Sequence, residues 1–119
     1  VRLVLENSSG GGDLLGSRIE ELAAILSGVG ADAGALAFCL DTAHLWGAGY
    51  DISSAAGAAS VVDRFAELIG LDRLAMVHLN DSRDAFGSGA DRHANVGQGT
   101  IDADVLVAVC AAASPVRCS

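Results

Sequence analysis

Six side chains in this sequence could share divalent cations: Glu6, Asp41, His44, His78, Asp91 and His93. Three of them end hydrophobic runs. Arg2-Leu3-Val4-Leu5 leads into Glu6, Leu36-Ala37-Phe38-Cys39-Leu40 into Asp41, and Leu74-Ala75-Met76-Val77 into His78. His44 follows Asp41 by one helical turn, and Asp91-Arg92-His93 adds a D-x-H pair after the third run. Carboxylate oxygen with imidazole nitrogen, and no cysteine, is a donor set for catalytic zinc or manganese. Barrels and doubly wound sheets build their sites in this way, by delivering polar residues from the C-terminal ends of parallel strands.

Each residue alone has a plainer explanation. Asp41 suits a helix or turn cap. His44 suits a surface or hydrogen-bonded core position, and Asp91-Arg92-His93 a solvated loop. A histidine or glutamate ending an apolar strand is harder to dismiss, because burying it without partners costs a few kcal/mol. All three runs end this way, and that conjunction carries the metal reading. Trp46, Tyr50 and Phe86 are first explained by packing. Gly10-Gly11-Gly12 and Gly87-Ser88-Gly89 suggest either flexible loops or cradles of backbone N–H groups for phosphate. No G-K-[ST] follows either, so neither is a Walker loop.

The elements that must position these residues alternate. Residues 2–6, 36–41 and 74–79 read as strands. Their near-continuous apolar runs are the pattern of parallel strands buried on both faces. Ser17-Arg18-Ile19-Glu20 matches a capping box and opens a helix carrying Ile19, Leu22, Ala23 and Leu26, which Gly28 and Gly30 end. A second helix spans 54–69, with Ala58, Val62, Phe65 and Ile69 on one face and Gly70 after it. A third opens at Thr100 or Ile101, faces inward with Leu106, Val109, Cys110 and Ala113, and breaks at Ser114-Pro115. About three βα units result, as in a doubly wound sheet or part of a barrel. No G-x-G-x-x-G follows a strand, which counts against a dinucleotide fold.

The chain has 119 residues, the size of one small domain. A hydrophobic fraction of 51% excludes a disordered chain. The net charge of -8 argues against a nucleic-acid partner, but divalent ions at the acidic site would offset part of it. Every basic residue is Arg; bidentate phosphate contact and a GC-rich genome explain this equally well. The cysteines, Cys39, Cys110 and Cys118, are odd in number and lack C-x-x-C spacing, so free thiols in a reducing cytoplasm are expected. The run from Val105 to Ala113 is too short for a bilayer, which takes about 20 residues. No signal peptide is visible, and a start at Val inside a strand suggests that N-terminal sequence is missing.

The stretches L-E-N-S-S-G-G-G, F-C-L-D-T-A-H-L-W-G-A-G-Y-D and V-H-L-N-D-S-R-D-A-F-G-S-G-A-D-R-H-A-N-V-G-Q-G-T-I resemble, in order, bacterial endonuclease IV. That family comprises the zinc-dependent apurinic/apyrimidinic endonucleases of base excision repair. The likeness runs from about Val1 to Pro115. It implies an α/β chain that is part of a (β/α)8 TIM barrel, all 119 residues forming a fragment of one domain. It implies three zinc ions per complete enzyme. Glu6 resembles the catalytic carboxylate bridging the first two, Asp41 and His78 resemble ligands of the second, and His44, Asp91 and His93 resemble the protein ligands of the third. The implied partner is duplex DNA containing abasic sites, cut on the 5′ side to leave a 3′-hydroxyl and a 5′-deoxyribose phosphate. Loops 7–16 and 80–99 would line the DNA, with Arg83, Ser88 and Gly89 as contacts. A monomeric enzyme of the bacterial cytoplasm, with no membrane partner, is expected.

The family also uses two histidines from earlier strands and a glutamate from a final strand reading roughly P-V-hydrophobic-hydrophobic-E-T. This chain ends Pro115-Val116-Arg117-Cys118-Ser119. It is therefore expected to be a C-terminal-half fragment lacking the last strand, and inactive alone. Two alternatives stand beside this reading. One is a xylose-isomerase-like sugar isomerase or epimerase, which would leave the D-R-H segment without a role. The other is a non-enzymatic, truncated zinc-binding product.

Overall fold

The computed structural model describes residues 1–119. Four parallel strands form the main sheet in the order β1-β2-β3-β6. They are β1 (Leu3–Glu6), β2 (Leu36–Asp41), β3 (Leu74–His78) and β6 (Arg117–Cys118). Between β3 and β6 lies a short antiparallel pair, β4 (Asp81–Ser82) and β5 (His93–Ala94). The helices are α1 (Ile19–Val29), α2 (Thr42–Gly47), α3 (Ala55–Leu68) and α4 (Ala103–Ala112). The architecture is α/β, a parallel sheet whose strands are joined through helices, as expected of part of a (β/α)8 barrel.

Leu36, Phe38 and Leu40 of β2 enter the hydrophobic core with Ile19 and Leu22 of α1, Val62 and Phe65 of α3, and Leu106 and Val109 of α4. Phe38 and Phe65 meet edge to face, with ring centroids 5.9 Å apart. Because side chains alternate along a strand, Ala37, Cys39 and Asp41 turn to the opposite side of the sheet. That alternation separates packing from chemistry. The expected burial on both faces holds for β2, all of whose residues are buried, but not for β1, where Leu3 and Val4 are exposed. β1 lies at the edge of the sheet and has a neighbour only in β2.

Local chemistry explains most boundaries and corrects several expectations. The first helix is capped one residue later than the S-x-x-E pattern implies. Arg18 is the N-cap, and the Glu21 carboxylate accepts both its backbone N–H and the Ser17 hydroxyl. Ser54 caps α3 by accepting the Gly57 N–H at 3.0 Å. The last helix begins at Ala103, after the N-cap Asp102, because the groups expected to open it are used elsewhere. The Thr100 hydroxyl donates to the carbonyls of Ser82 and Asp84, and the Ile101 N–H donates to Asp81. The third strand stops at His78, one residue short of its expected end. The short helix α2 was not anticipated.

The end of the chain differs most from expectation. A fourth parallel strand, β6, pairs Met76 with Arg117 and Val77 with Cys118, where three strands and no last strand were expected. Arg117 is exposed, so its charge needs no burial. Cys110 and Cys118 form a disulfide with their Cα atoms 6.1 Å apart, correcting the expectation of free thiols. Linear spacing gave no sign of it, because the turn after α4 folds β6 back beside that helix. Cys39 is the one free cysteine and is buried. No helix is long and apolar enough to cross a membrane.

Phe65→Ala would open a cavity against Phe38. The expected loss is about 3–5 kcal/mol of unfolding free energy, the usual cost of deleting a buried aromatic ring. Chemical denaturation checks this, and an unshifted midpoint would place the core elsewhere.

Candidate metal centre

Register brings the strand ends level. Glu6 pairs with Cys39, and Asp41 with His78. Adjacent strands lie about 4.8 Å apart, so polar groups ending neighbouring strands must meet. The His78 Nδ1 atom lies 3.4 Å from Glu6 Oε1, and His44 Nδ1 lies 3.7 Å from the same oxygen. His44 Nε2 lies 2.9 Å from Asp91 Oδ1, and His93 Nε2 lies 3.0 Å from it. His93 Nε2 is also 3.8 Å from Asp41 Oδ2. All six singled-out residues thus join one continuous cluster. Two subsets have donor atoms mutually within 4.8 Å: Asp41, His44 and His93, and Glu6, Cys39 and His78.

The supports of this cluster are buried. Asp41 has no exposed surface. Its Oδ1 accepts the His44 N–H at 3.1 Å, making it the N-cap of α2, and its Oδ2 accepts the Asn80 amide at 2.6 Å. The cap reading and the metal reading therefore coexist in one carboxylate. Asn7 ties β1 to β2 by accepting the Asp41 N–H at 2.7 Å and donating to the Asp41 carbonyl at 3.4 Å. Thr42 holds the residues after β3 by donating to the carbonyls of His78 and Asn80 and accepting the Asn80 N–H. Asn7, Thr42 and Asn80 were not anticipated as site residues. The available signal was the polar dipeptide beginning at the end of each run: Glu6-Asn7, Asp41-Thr42, and Asn80-Asp81 two residues past His78.

Tautomer and ionisation follow from these partners. A carbonyl only accepts, so the His44 Nδ1–H donates to the Asn7 carbonyl at 2.6 Å, which leaves Nε2 facing Asp91. An imidazole nitrogen and a carboxylate oxygen at that distance meet through a shared proton or a shared cation. Burial pulls the His44 pKa down, but Asp41, the Asn7 carbonyl and Asp91 outweigh it, and the net shift is upward. A cation entering here must displace that proton, so its binding strengthens as pH rises. Burial, with the charges of Glu6 and Asp41, pushes the Cys39 thiol up to about 11. Cys39 therefore stays protonated at neutral pH and is a poor ligand. The remaining donors are oxygen and nitrogen, a set that fits zinc, with His44 oriented by a backbone carbonyl as ligating imidazoles generally are.

Beside His93 a cavity of about 450 Å³ is lined by Asn80, Arg83, Ala94, Asn95 and Gln98. Gly87-Ser88-Gly89, for which a flexible loop and a phosphate cradle were both open, spends its backbone donors inside the chain. The N–H groups of these residues donate to the carbonyls of Trp46, Ala85 and Gly47, and the Ser88 hydroxyl accepts from Ala90. A Cβ on Gly11 would lie 2.5 Å from the Gly89 carbonyl oxygen. The two glycine-rich loops are packed on each other, and close backbone approach explains Gly11 and Gly89. Trp46 and Phe86 meet edge to face at 5.0 Å, and the Tyr50 hydroxyl accepts the Ile19 N–H, so these aromatics serve packing.

The family described as xylose isomerase-like TIM barrel matches residues 1–110. A probable endonuclease 4 of Mycobacterium tuberculosis is 46% identical over 119 residues, covering 99% of this chain and 43% of the relative. Another, of Heliobacterium modesticaldum, is 46% identical over 109 residues, covering 92% of this chain and 38% of the relative. The crystal structure of endonuclease IV from Thermus thermophilus superposes with a TM-score of 0.83 at 38% identity, covering 98% of this chain and 41% of that one. The chain spans about two fifths of the length of these relatives.

Asn7→Ala would orphan the Asp41 N–H in a buried position. A loss of about 1–3 kcal/mol is expected for each backbone group left unsatisfied. Urea titration measures it, and an unchanged stability would mean that β1 and β2 are joined without this side chain.

Proposed function

Since this chain belongs to the endonuclease IV family of xylose isomerase-like TIM barrels, we propose that it is the part of a zinc-dependent AP endonuclease carrying one complete ligand set. The whole enzyme hydrolyses the phosphodiester 5′ of an abasic site in duplex DNA, working as a monomer in the bacterial cytoplasm. The observation that carries this reading is the convergence of Glu6, Asp41, His44, His78, Asp91 and His93 at the C-terminal ends of aligned strands.

In the proposal His44, Asp91 and His93 would hold one zinc, Asp41 and His78 would contribute to a second, and Glu6 would serve the second and a first. Bound there, zinc supplies Lewis acidity toward phosphate oxygens and lowers the pKa of water toward about 7. The chain's own residues do the rest. Asn7 holds His44 in the tautomer with Nε2 forward. Asn80 and the His44 N–H hold both Asp41 oxygens. Arg83, on the cavity beside His93, offers a guanidinium to a backbone phosphate. The cavity is lined mostly by polar side chains, which suits a sugar-phosphate strand better than an apolar ligand.

A hybrid tests this: residues 1–114 replace the matching segment of the Thermus thermophilus enzyme, whose flanking strands, the final one included, are kept. It is expected to incise abasic duplex DNA without added magnesium and to lose activity to a zinc chelator. Ketose isomerisation without incision would overturn the proposal in favour of a sugar isomerase. Within the hybrid, Asp91→Ala or His93→Ala should remove about one zinc per chain and slow turnover by about 10²–10⁴-fold, as loss of several kcal/mol requires. Unchanged zinc by elemental analysis in both variants would reduce the D-x-H pair to a loop feature.

A further inference from the structure

Asp81 is a buried carboxylate with no exposed surface, and no cationic side chain pairs with it. Four backbone N–H groups surround it instead. Oδ1 accepts from Ser82 at 2.8 Å and Ile101 at 2.9 Å, and Oδ2 accepts from Gly97 at 3.1 Å and Gly99 at 2.8 Å. Three of these donors lie 16 to 20 residues away, across the loop that carries Asp91 and His93. The carboxylate closes that loop as a clasp. Within it, β4 and β5 pair Asp81 with Ala94 and Ser82 with His93, and the Arg83 N–H donates to the Arg92 carbonyl at 3.0 Å. The loop is thus sewn from Asp81 outward to the two residues that meet His44.

We infer that Asp81 is a positioning residue that sets the metal affinity of the Asp91–His93 pair by clasping residues 97–101 behind it. The inference rests on the proposal that this pair holds a cation with His44. Charge and shape are both required. Each oxygen already takes two N–H donors, so Asp81→Asn places an amide NH2 against two donors in either orientation. Only glycine fits at position 99, because a Cβ there would lie 2.4 Å from Asp81 Oδ1 and 2.3 Å from the Ser82 carbonyl oxygen. Gly99→Ala therefore pushes the loop off the clasp while leaving its charge in place. The two substitutions reach the same loop by different physics.

The test is calorimetric titration of zinc into the metal-stripped hybrid and its Asp81→Asn, Gly99→Ala and His93→Ala variants, with amide hydrogen exchange on each. His93→Ala identifies the binding step that belongs to this site. Asp81→Asn and Gly99→Ala are expected to weaken that step by about 10–100-fold, as loss of an outer support of a metal ligand does. Exchange should quicken at Gly97, Gly99 and Ile101 while the amides of β2 keep their protection. Faster loop exchange with unchanged zinc affinity would overturn the inference, since the clasp would then be structural only. If Asp81→Asn does not fold, Gly99→Ala decides on the same two readouts. Absence of any zinc step that His93→Ala removes would instead refute the metal proposal on which the inference rests.

Discussion

Parallel pairing in register is the constraint on which this site depends. It sets Glu6 beside Cys39 and Asp41 beside His78, so the polar ends of three strands arrive at one level. A slip of one residue would turn Asp41 toward the helices and Leu40 toward the site. The packing of Leu36, Phe38 and Leu40 beneath the helices forbids that slip. The hydrophobic core therefore fixes which residues face the chemistry without contributing any of them.

Convergence of carboxylates has an electrostatic cost, and the surrounding groups offset it. Asp41, fully buried, is held by an asparagine amide and a helix N-terminal N–H. Asp81, equally buried, is held by backbone alone. Both use neutral donors, so neither spends a cationic side chain. Arg92 sits between Asp91 and His93 in sequence but turns away to Asp84, as alternation in an extended segment requires. That leaves the two potential ligands on the same side.

What could be read in advance follows from the range of the forces involved. β2 was legible to the residue, because an apolar run from Leu36 to Leu40 stopped by the charge of Asp41 needs no tertiary information. The second helix was legible for the same reason, its expected span of 54–69 running from the Ser54 cap to Ile69, one residue beyond α3 at each end. The six site residues were individually ambiguous: Glu6, Asp41 and His78 stood out as a repeated pattern of strand endings, and the resemblance joined His44, Asp91 and His93 to them. The features that escaped are tertiary. The start of α4 moved because Thr100 and Ile101 are claimed by residues 81–84. The Cys110–Cys118 bond depends on a turn that spacing does not encode, and the glycine loops mark a contact between segments nearly 80 positions apart. Asp81 escaped because an aspartate in a polar loop looks solvated until its four donors are known.

The wide separation of the site residues along the chain bears on when the site can form. His78 lies 72 positions from Glu6, and Asp91 lies 47 from His44. Contacts of such span are entropically late, because the intervening chain must be closed before they reward it. During synthesis, β1, α1 and β2 can assemble while the D-x-H segment is still unmade. That unit carries two of the site acids, Glu6 and Asp41, and lacks His78, Asp91 and His93. Capture of a cation by these residues would then be a closing event of folding, open to a chain that has already found its register.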